Sequence, residues 1–184
     1  MPTPNQIIFV TASSMPSSSC RDCQASRARV RHLLEVGRIV QAGNSIGGAI
    51  SDDGRLIAVS NYEPGGVRVF DADTLAPVAD IPAHWGDDGR LSKTVGLVDA
   101  PGHRFVWSLY DAGEIWTADL TDPTRPRIDR FADVGKLPYD GNITTDGRFY
   151  LAGLFGEDGV ALLDLWNSTA GPRRILDGYG KGAD

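Results

Sequence analysis

A unit of about 46 residues recurs three times in this chain, and each copy contains two turns at matching places. The first turns are Asp53-Gly54-Arg55, Pro101-Gly102-His103-Arg104 and Asp146-Gly147-Arg148. The second turns are Gly65-Gly66, Ala112-Gly113 and Asp158-Gly159. A repeat with a period of this length is typical of a propeller or a solenoid.

The segments around these turns are predicted to be strands. They are short runs rich in β-branched and aromatic residues, bounded by Gly, Asp or Pro. The predicted strands are 48–50, 56–60, 67–71 and 78–81 in the first copy, 96–98, 104–108, 114–119 and 127–130 in the second, and 142–144, 148–152, 160–164 and 173–176 in the third. Four short antiparallel strands per copy, without a helical period, indicate an all-β fold made of β-propeller blades.

The number of copies predicts a partial propeller. Propellers usually close a ring of roughly four to eight blades, whereas this chain holds three blades and one strand of a preceding blade at residues 38–40. We therefore expect residues 38–184 to form an arc of a larger ring. The alternative is a small domain closed by a partner or by self-association, because an open arc exposes unpaired strand edges.

Residues 1–37 share nothing with the repeats, and we predict that they form a disordered or misassigned leader. Cys20 and Cys23 have the spacing of a metal or redox pair, but one pair supplies only half of a zinc site, so no metal site is expected. The segment shows no secretory signal, and the chain has no apolar run long enough for a membrane span. A net charge of −6 argues against nucleic acid as a partner.

A candidate binding face follows from the geometry of a propeller. The loops that join the second strand of a blade to the third (the 2–3 loops) lie on the same face as the loops that lead into the first strand (the lead-in loops). The residues on this face that we expect to contact a ligand are Asn44, Tyr62, Glu63, Lys93, Tyr110, Tyr139, Asp140 and Phe155. Aromatic side chains with a few polar groups suit a large flat ligand, although repeated aromatics are also ordinary blade packing.

Polar residues on this face have candidate roles of their own. Glu63 and Asp140 could donate or accept protons if they are partly buried beside a ligand. For Asp140 we favour a different role, the capping of the Asp-Gly turn that it begins. The lead-in loops of this face also carry Arg90, Lys93 and Lys136.

Three motifs carry a resemblance to a known family: residues 43–51, residues 59–71, which include Asn61-Tyr62-Glu63-Pro64, and residues 151–159. They resemble the NirF family, whose members are relatives of the haem d1 domain of cytochrome cd1 nitrite reductase. The resemblance runs from residue 38 to the C-terminus and covers three of the family's eight blades. It implies a periplasmic protein of haem d1 biosynthesis that binds haem d1 or its dihydro precursor, with either an oxidoreductase-like maturation step or a carrier role.

The resemblance also implies partners and site residues. Cytochrome cd1 nitrite reductase and other haem d1 maturation proteins are the implied partners. Tyr62 matches a tyrosine near haem d1 in the reductase relatives, whereas Tyr139 stands where those relatives carry a histidine, so nitrite reduction is not expected. Because haem d1 carries carboxylates, the resemblance makes Arg90, Lys93 and Lys136 the candidate cations for the ligand. The histidine that is taken to ligate the haem in this family belongs to earlier blades outside this sequence. The other function class is a propeller that serves as a protein-interaction platform without chemistry of its own.

Overall fold

The computed structural model describes residues 5–11, 34–41 and 44–178, which belong to two compact units divided after Ala42. In the first unit, β1 (Asn5–Thr11) pairs antiparallel with β2 (Leu34–Gln41), with Ile8 opposite Arg38. The strand predicted at residues 38–40 therefore lies within β2. The proposed domain boundary at residue 38 stays a prediction, and both cysteines lie outside the described residues.

The second unit contains three four-stranded antiparallel sheets, each with its strands in chain order, as expected of propeller blades. The first blade comprises β3 (Asn44–Ile50), β4 (Leu56–Glu63), β5 (Val67–Asp71) and β6 (Pro77–Ile81). A short hairpin, β7 (His84–Trp85) and β8 (Arg90–Leu91), precedes the second blade of β9 (Thr94–Ala100), β10 (Arg104–Leu109), β11 (Glu114–Asp119) and β12 (Arg127–Phe131). The third blade comprises β13 (Pro138–Ile143), β14 (Phe149–Leu154), β15 (Val160–Asp164) and β16 (Arg173–Ile175), with a 3₁₀ turn at Ser168–Ala170. All twelve predicted blade strands are confirmed.

The Asp-Gly-Arg turns satisfy their own polar groups. The Asp53 carboxylate accepts hydrogen bonds from the Ser51 hydroxyl at 2.7 Å and from the Arg55 N–H at 3.0 Å. Asp146 repeats this arrangement with the Thr144 hydroxyl and the Arg148 N–H. These bonds lower the pKa of both aspartates, because they stabilise the charged form. These turns are therefore stabilised by hydrogen bonds between residues of the same turn.

Two hydrophobic clusters fill the spaces between neighbouring blades. The first contains side chains of the first and second blades, including Trp107 and Trp116, whose ring centroids are 6.4 Å apart. The second joins the second and third blades around the fully buried Tyr150. The Tyr150 hydroxyl donates to the Gly96 carbonyl at 2.8 Å and lies 2.9 Å from the Ser108 hydroxyl. The blades of this unit are therefore joined by apolar packing and, between the second and third, by a buried hydrogen-bond network.

The glycines of the second turns allow the next blade to come close. A Cβ atom on Gly65 would lie 2.0 Å from the carbonyl oxygen of Ser92, and one on Gly113 would lie 2.8 Å from that of Gly135. Backbone groups at these turns also bond across the blades, from the Gly66 N–H to Thr94 Oγ1 at 2.8 Å and from the Val134 N–H to the Gly113 carbonyl at 3.2 Å. The 2–3 loop of one blade therefore holds the lead-in loop of the next.

Candidate functional site: an aromatic face across three blades

Bulges between the first two strands of a blade place two of the predicted aromatic residues. In the first blade, Asn61 lies opposite Ser45 and Glu63 opposite Asn44, which leaves Tyr62 without a cross-strand partner. In the third blade, Tyr139 and Asp140 lie between the paired residues Pro138 and Gly141 of β13. A bulge bends a strand and redirects its side chains, and bulges are common beside functional sites. Both tyrosines therefore occupy bulged positions at the end of the blade that carries the 2–3 and lead-in loops.

Four of the predicted residues form a surface that we call the aromatic patch: Tyr62, Tyr110, Tyr139 and Phe155. The rings of Tyr110 and Tyr139 meet edge to face, with centroids 5.7 Å apart and planes at 78°. Phe155 lies 5.8 Å from Tyr139 and 6.4 Å from Tyr110, and it is 60% exposed. Rings of the second and third blades are therefore in contact, and they remain open to solvent.

Lys93 extends this arrangement to the first blade. Its ammonium lies 5.4 Å from the ring centroid of Tyr110 and 5.8 Å from that of Tyr62, within the range of a cation–π interaction. Asp111 holds it there, with its carboxylate 3.3 Å from Lys93 Nζ and accepting the Lys93 backbone N–H at 2.9 Å. The Asp111 carboxylate raises the pKa of Lys93, with smaller contributions from Tyr62 and Glu63. Lys93 is thus fixed between two aromatic rings as a cation.

Sequence reasoning did not select Asp111 as a site residue. The Asp111 backbone N–H donates to the buried Ser92 hydroxyl at 3.0 Å, and the neighbouring Ala112 N–H donates to the same oxygen at 3.2 Å. The 2–3 loop and the lead-in loop of the second blade are therefore tied together at this point. The sequence feature that could have indicated Asp111 is the carboxylate that follows the aromatic residue in each 2–3 loop.

A pocket of about 330 Å³ opens beside the aromatic patch, between the second and third blades, and is lined by residues 111–113, 135–137 and 156. We call it the interblade pocket. Glu157 stands next to it, accepting the Lys136 backbone N–H at 2.7 Å and an Arg174 guanidinium nitrogen at 2.8 Å. Lys136 is exposed and lines the pocket. The interblade pocket therefore lies next to the aromatic patch and has Lys136 in its wall.

The three remaining predicted residues lie at the edges of this face. Asn44 and Glu63 are exposed and opposite each other at the ends of β3 and β4. Asp140 is exposed, and its carboxylate accepts no hydrogen bond within the part of the chain that the structure describes. The prediction that Asp140 caps a tight turn is wrong, because β13 continues through Asp140 and Gly141 and the bulge replaces the turn.

The other charged candidates are engaged elsewhere. Arg90 lies 4.5 Å above the Trp85 ring and 3.1 Å from the Asp88 carboxylate, within its own hairpin. His84 belongs to the same hairpin, where its Nδ1 lies 2.7 Å from the Gly89 carbonyl oxygen. His103 is on the opposite face, 3.5 Å from Asp53. Neither described histidine belongs to the aromatic patch.

The opposite face carries an acidic group of its own. Ligand atoms of Asp52, Asp53 and His103 lie within 4.8 Å of one another, and all three residues are exposed. Asp99 is close by, and its partly buried carboxyl has a pKa raised to about 6, first by burial and then by the charge of Asp52. This group of residues is therefore acidic.

Comparison with known sequences places the chain in a family. The sequence profile of the cytochrome D1 heme domain matches residues 19–184. The chain belongs to the cytochrome D1 heme domain family. The profile overlaps the segment predicted as a leader from residue 19 onward.

Two members of this family resemble the chain closely in sequence. Protein NirF of Pseudomonas aeruginosa is 63% identical over 147 residues, which are 79% of this chain and 37% of the relative. Protein NirF of Stutzerimonas stutzeri is 56% identical over 154 residues, 83% of this chain and 39% of the relative. The resemblance to NirF is confirmed, and the chain spans less than two fifths of the length of these two proteins.

A solved structure shares the fold. Dihydro-heme d1 dehydrogenase NirN in complex with DHE superposes with a TM-score of 0.62 at 30% identity, over 79% of this chain and 30% of NirN. This match confirms the propeller-like blades of the cytochrome D1 heme domain. No helix within the described residues has the length and apolar character needed to cross a membrane.

Proposed function

We propose that this chain takes part in haem d1 biosynthesis and that its aromatic patch binds haem d1 or dihydro-haem d1. The arrangement that carries the proposal is the set of rings contributed by three successive blades, with Lys93 held between two of them. Similarity to NirF and to NirN in complex with DHE supports this choice of ligand class. The proposed setting is the periplasm, in the maturation of cytochrome cd1 nitrite reductase.

The residues of the face fit a flat ring that carries carboxylates. Partly exposed aromatic rings offer apolar area and π contacts to a macrocycle. The Lys93 ammonium lies at the edge of these rings, and its pairing with Asp111 fixes it there. When bound, the haem supplies redox chemistry at its iron. The described side chains of the patch would bind and orient the ring.

The proposal is tested by titrating dihydro-haem d1 into the purified chain and recording the absorption spectrum. We expect shifted bands with the unchanged chain and affinity weakened about fivefold in Tyr139→Ala, which removes one ring contact of about 1 kcal/mol. Tyr62→Ala tests the contribution of the first blade in the same way.

Trp166→Ala is the matched control, because Trp166 is 64% exposed and follows β15 on the opposite face. Its affinity should equal that of the unchanged chain. An unshifted spectrum with the unchanged chain, for both haem d1 and dihydro-haem d1, would refute the proposal. Equal weakening by Trp166→Ala and Tyr139→Ala would show that the ligand does not select the aromatic patch.

A further inference from the structure

We propose that the interblade pocket is a carboxylate subsite in which Lys136 binds an acidic side arm of the tetrapyrrole whose ring lies on the aromatic patch. The inference rests on the proposed function, and it selects Lys136 from the three candidate cations Arg90, Lys93 and Lys136. Three observations carry it: the pairing of the charges around the pocket, the position of the pocket beside the patch, and the close approach of the pocket walls at two glycines.

The charges around the pocket leave one cation uncompensated. The Asp111 carboxylate is paired with the Lys93 ammonium at 3.3 Å. The Glu157 carboxylate is paired with the Arg174 guanidinium at 2.8 Å. Lys136 forms no ion pair within residues 44–178. The two pairs are neutral, so together with Lys136 they carry one positive charge. In a chain of net charge −6, such a position favours an anionic group.

The pocket lies beside the aromatic patch, because backbone hydrogen bonds join the segments that carry them. The Phe155 N–H donates to the Leu137 carbonyl at 2.9 Å, and the Gly156 N–H donates to the Lys136 carbonyl at 3.1 Å. Lys136 therefore lies beside the loop that carries Phe155, and Tyr139 follows three residues later in the same segment. A ring on the patch thus has its edge next to the pocket.

Two glycines let the walls of the pocket approach each other closely. A Cβ on Gly135 would lie 2.6 Å from Glu157 Oε1, and a Cβ on Gly156 would lie 2.9 Å from the Lys136 Cβ. Larger residues at these positions would displace these neighbours, so the arrangement of the walls around the volume of about 330 Å³ requires glycine. A propionate or acetate arm is small enough to enter such a space, while the macrocycle is not.

The test compares two probes with the same ring, mesoporphyrin IX and its dimethyl ester, by quenching of their fluorescence on binding. Because Lys136 is exposed, its pairing with a carboxylate should be weak, and Lys136→Met should reduce the affinity for the diacid about three- to fivefold. The ester should bind both chains equally. Lys136→Arg should restore diacid binding, and high salt should abolish the difference between Lys136→Met and the unchanged chain.

Arg125→Gln is the control, since it removes one exposed positive charge at the turn before β12, away from the pocket. Equal diacid affinity in Lys136→Met and the unchanged chain would overturn the subsite, and the proposed function would survive if Tyr139→Ala still weakened both probes. A loss of affinity for the ester as large as that for the diacid would also overturn it. Failure of both probes to bind the unchanged chain would count against the subsite and the proposed function together.

Discussion

Replacing Tyr150 by phenylalanine should destabilise the chain by about 2 kcal/mol. The ring would keep its packing, but the Gly96 carbonyl and the Ser108 hydroxyl would lose the partner that lies 2.8 and 2.9 Å away. Tyr150 and Ser108 are fully buried, so no water would replace the missing hydroxyl. A buried polar group left without a partner costs about 1–3 kcal/mol.

Urea unfolding monitored by tryptophan fluorescence measures this loss, because Trp107 and Trp116 are buried within the same unit. Tyr139→Phe is the matched control, which removes a hydroxyl from the partly exposed patch and should change stability by less than about 0.5 kcal/mol. A double-mutant cycle with Ser108→Ala should give a coupling of at least about 0.5 kcal/mol. If Tyr150→Phe behaved like the control, the hydroxyl network would not hold the second and third blades together.

Three further changes test other parts of the unit. Gly113→Ala should cost about 1–2 kcal/mol in urea unfolding, because Gly113 has a φ of 68° and its new Cβ would meet the Gly135 carbonyl oxygen; an unchanged midpoint would contradict the close approach. Asp111→Asn should lower the pKa of Lys93 toward its ordinary value, as measured by NMR titration of the ammonium. An unaltered pKa would show that Asp111 does not cause the raised pKa of Lys93. The folded-state pKa of Asp99, about 6, exceeds its ordinary value of 3.8, so stability should fall as the pH rises between these values. Asp99→Asn should therefore stabilise the chain by about 1 kcal/mol at neutral pH, allowing for partial exposure, and bring no gain below the ordinary pKa; equal gains at both pH values would contradict this cause.

The strands of each blade could be predicted because turn residues mark their ends. Asp53-Gly54 and Asp146-Gly147 are turns whose side chains and positive φ values are local properties, and both occur where the sequence places them. Asp140-Gly141 has the same residue types but lies inside β13, because pairing with β14 through a bulge outweighs the local preference for a turn. The hairpin of β7 and β8 was likewise not predicted, since its strands have only two residues each.

The candidate site was predictable as a set of positions and not as a set of contacts. The repeat alone put Tyr62, Tyr110 and Phe155 at equivalent places in successive blades. The edge-to-face contact of Tyr110 with Tyr139 and the pairing of Lys93 with Asp111 depend on distances between different loops, which no spacing in the sequence encodes. Sequence reasoning therefore found the rings but could not tell which lysine is already paired.

The second-turn glycines connect the fold of this chain to its proposed function. Gly65 and Gly113 carry no side chain because the lead-in loop of the next blade lies against them. That close approach also brings Lys93 to the ring of Tyr62, and it brings Tyr139 to the ring of Tyr110. A substitution that separates the blades by an ångström should therefore weaken ligand binding as well as stability, even though neither glycine belongs to the aromatic patch. The Gly113→Ala chain allows both quantities to be measured on one variant, and a loss of stability without a loss of mesoporphyrin affinity would show that the patch tolerates a displacement between its blades.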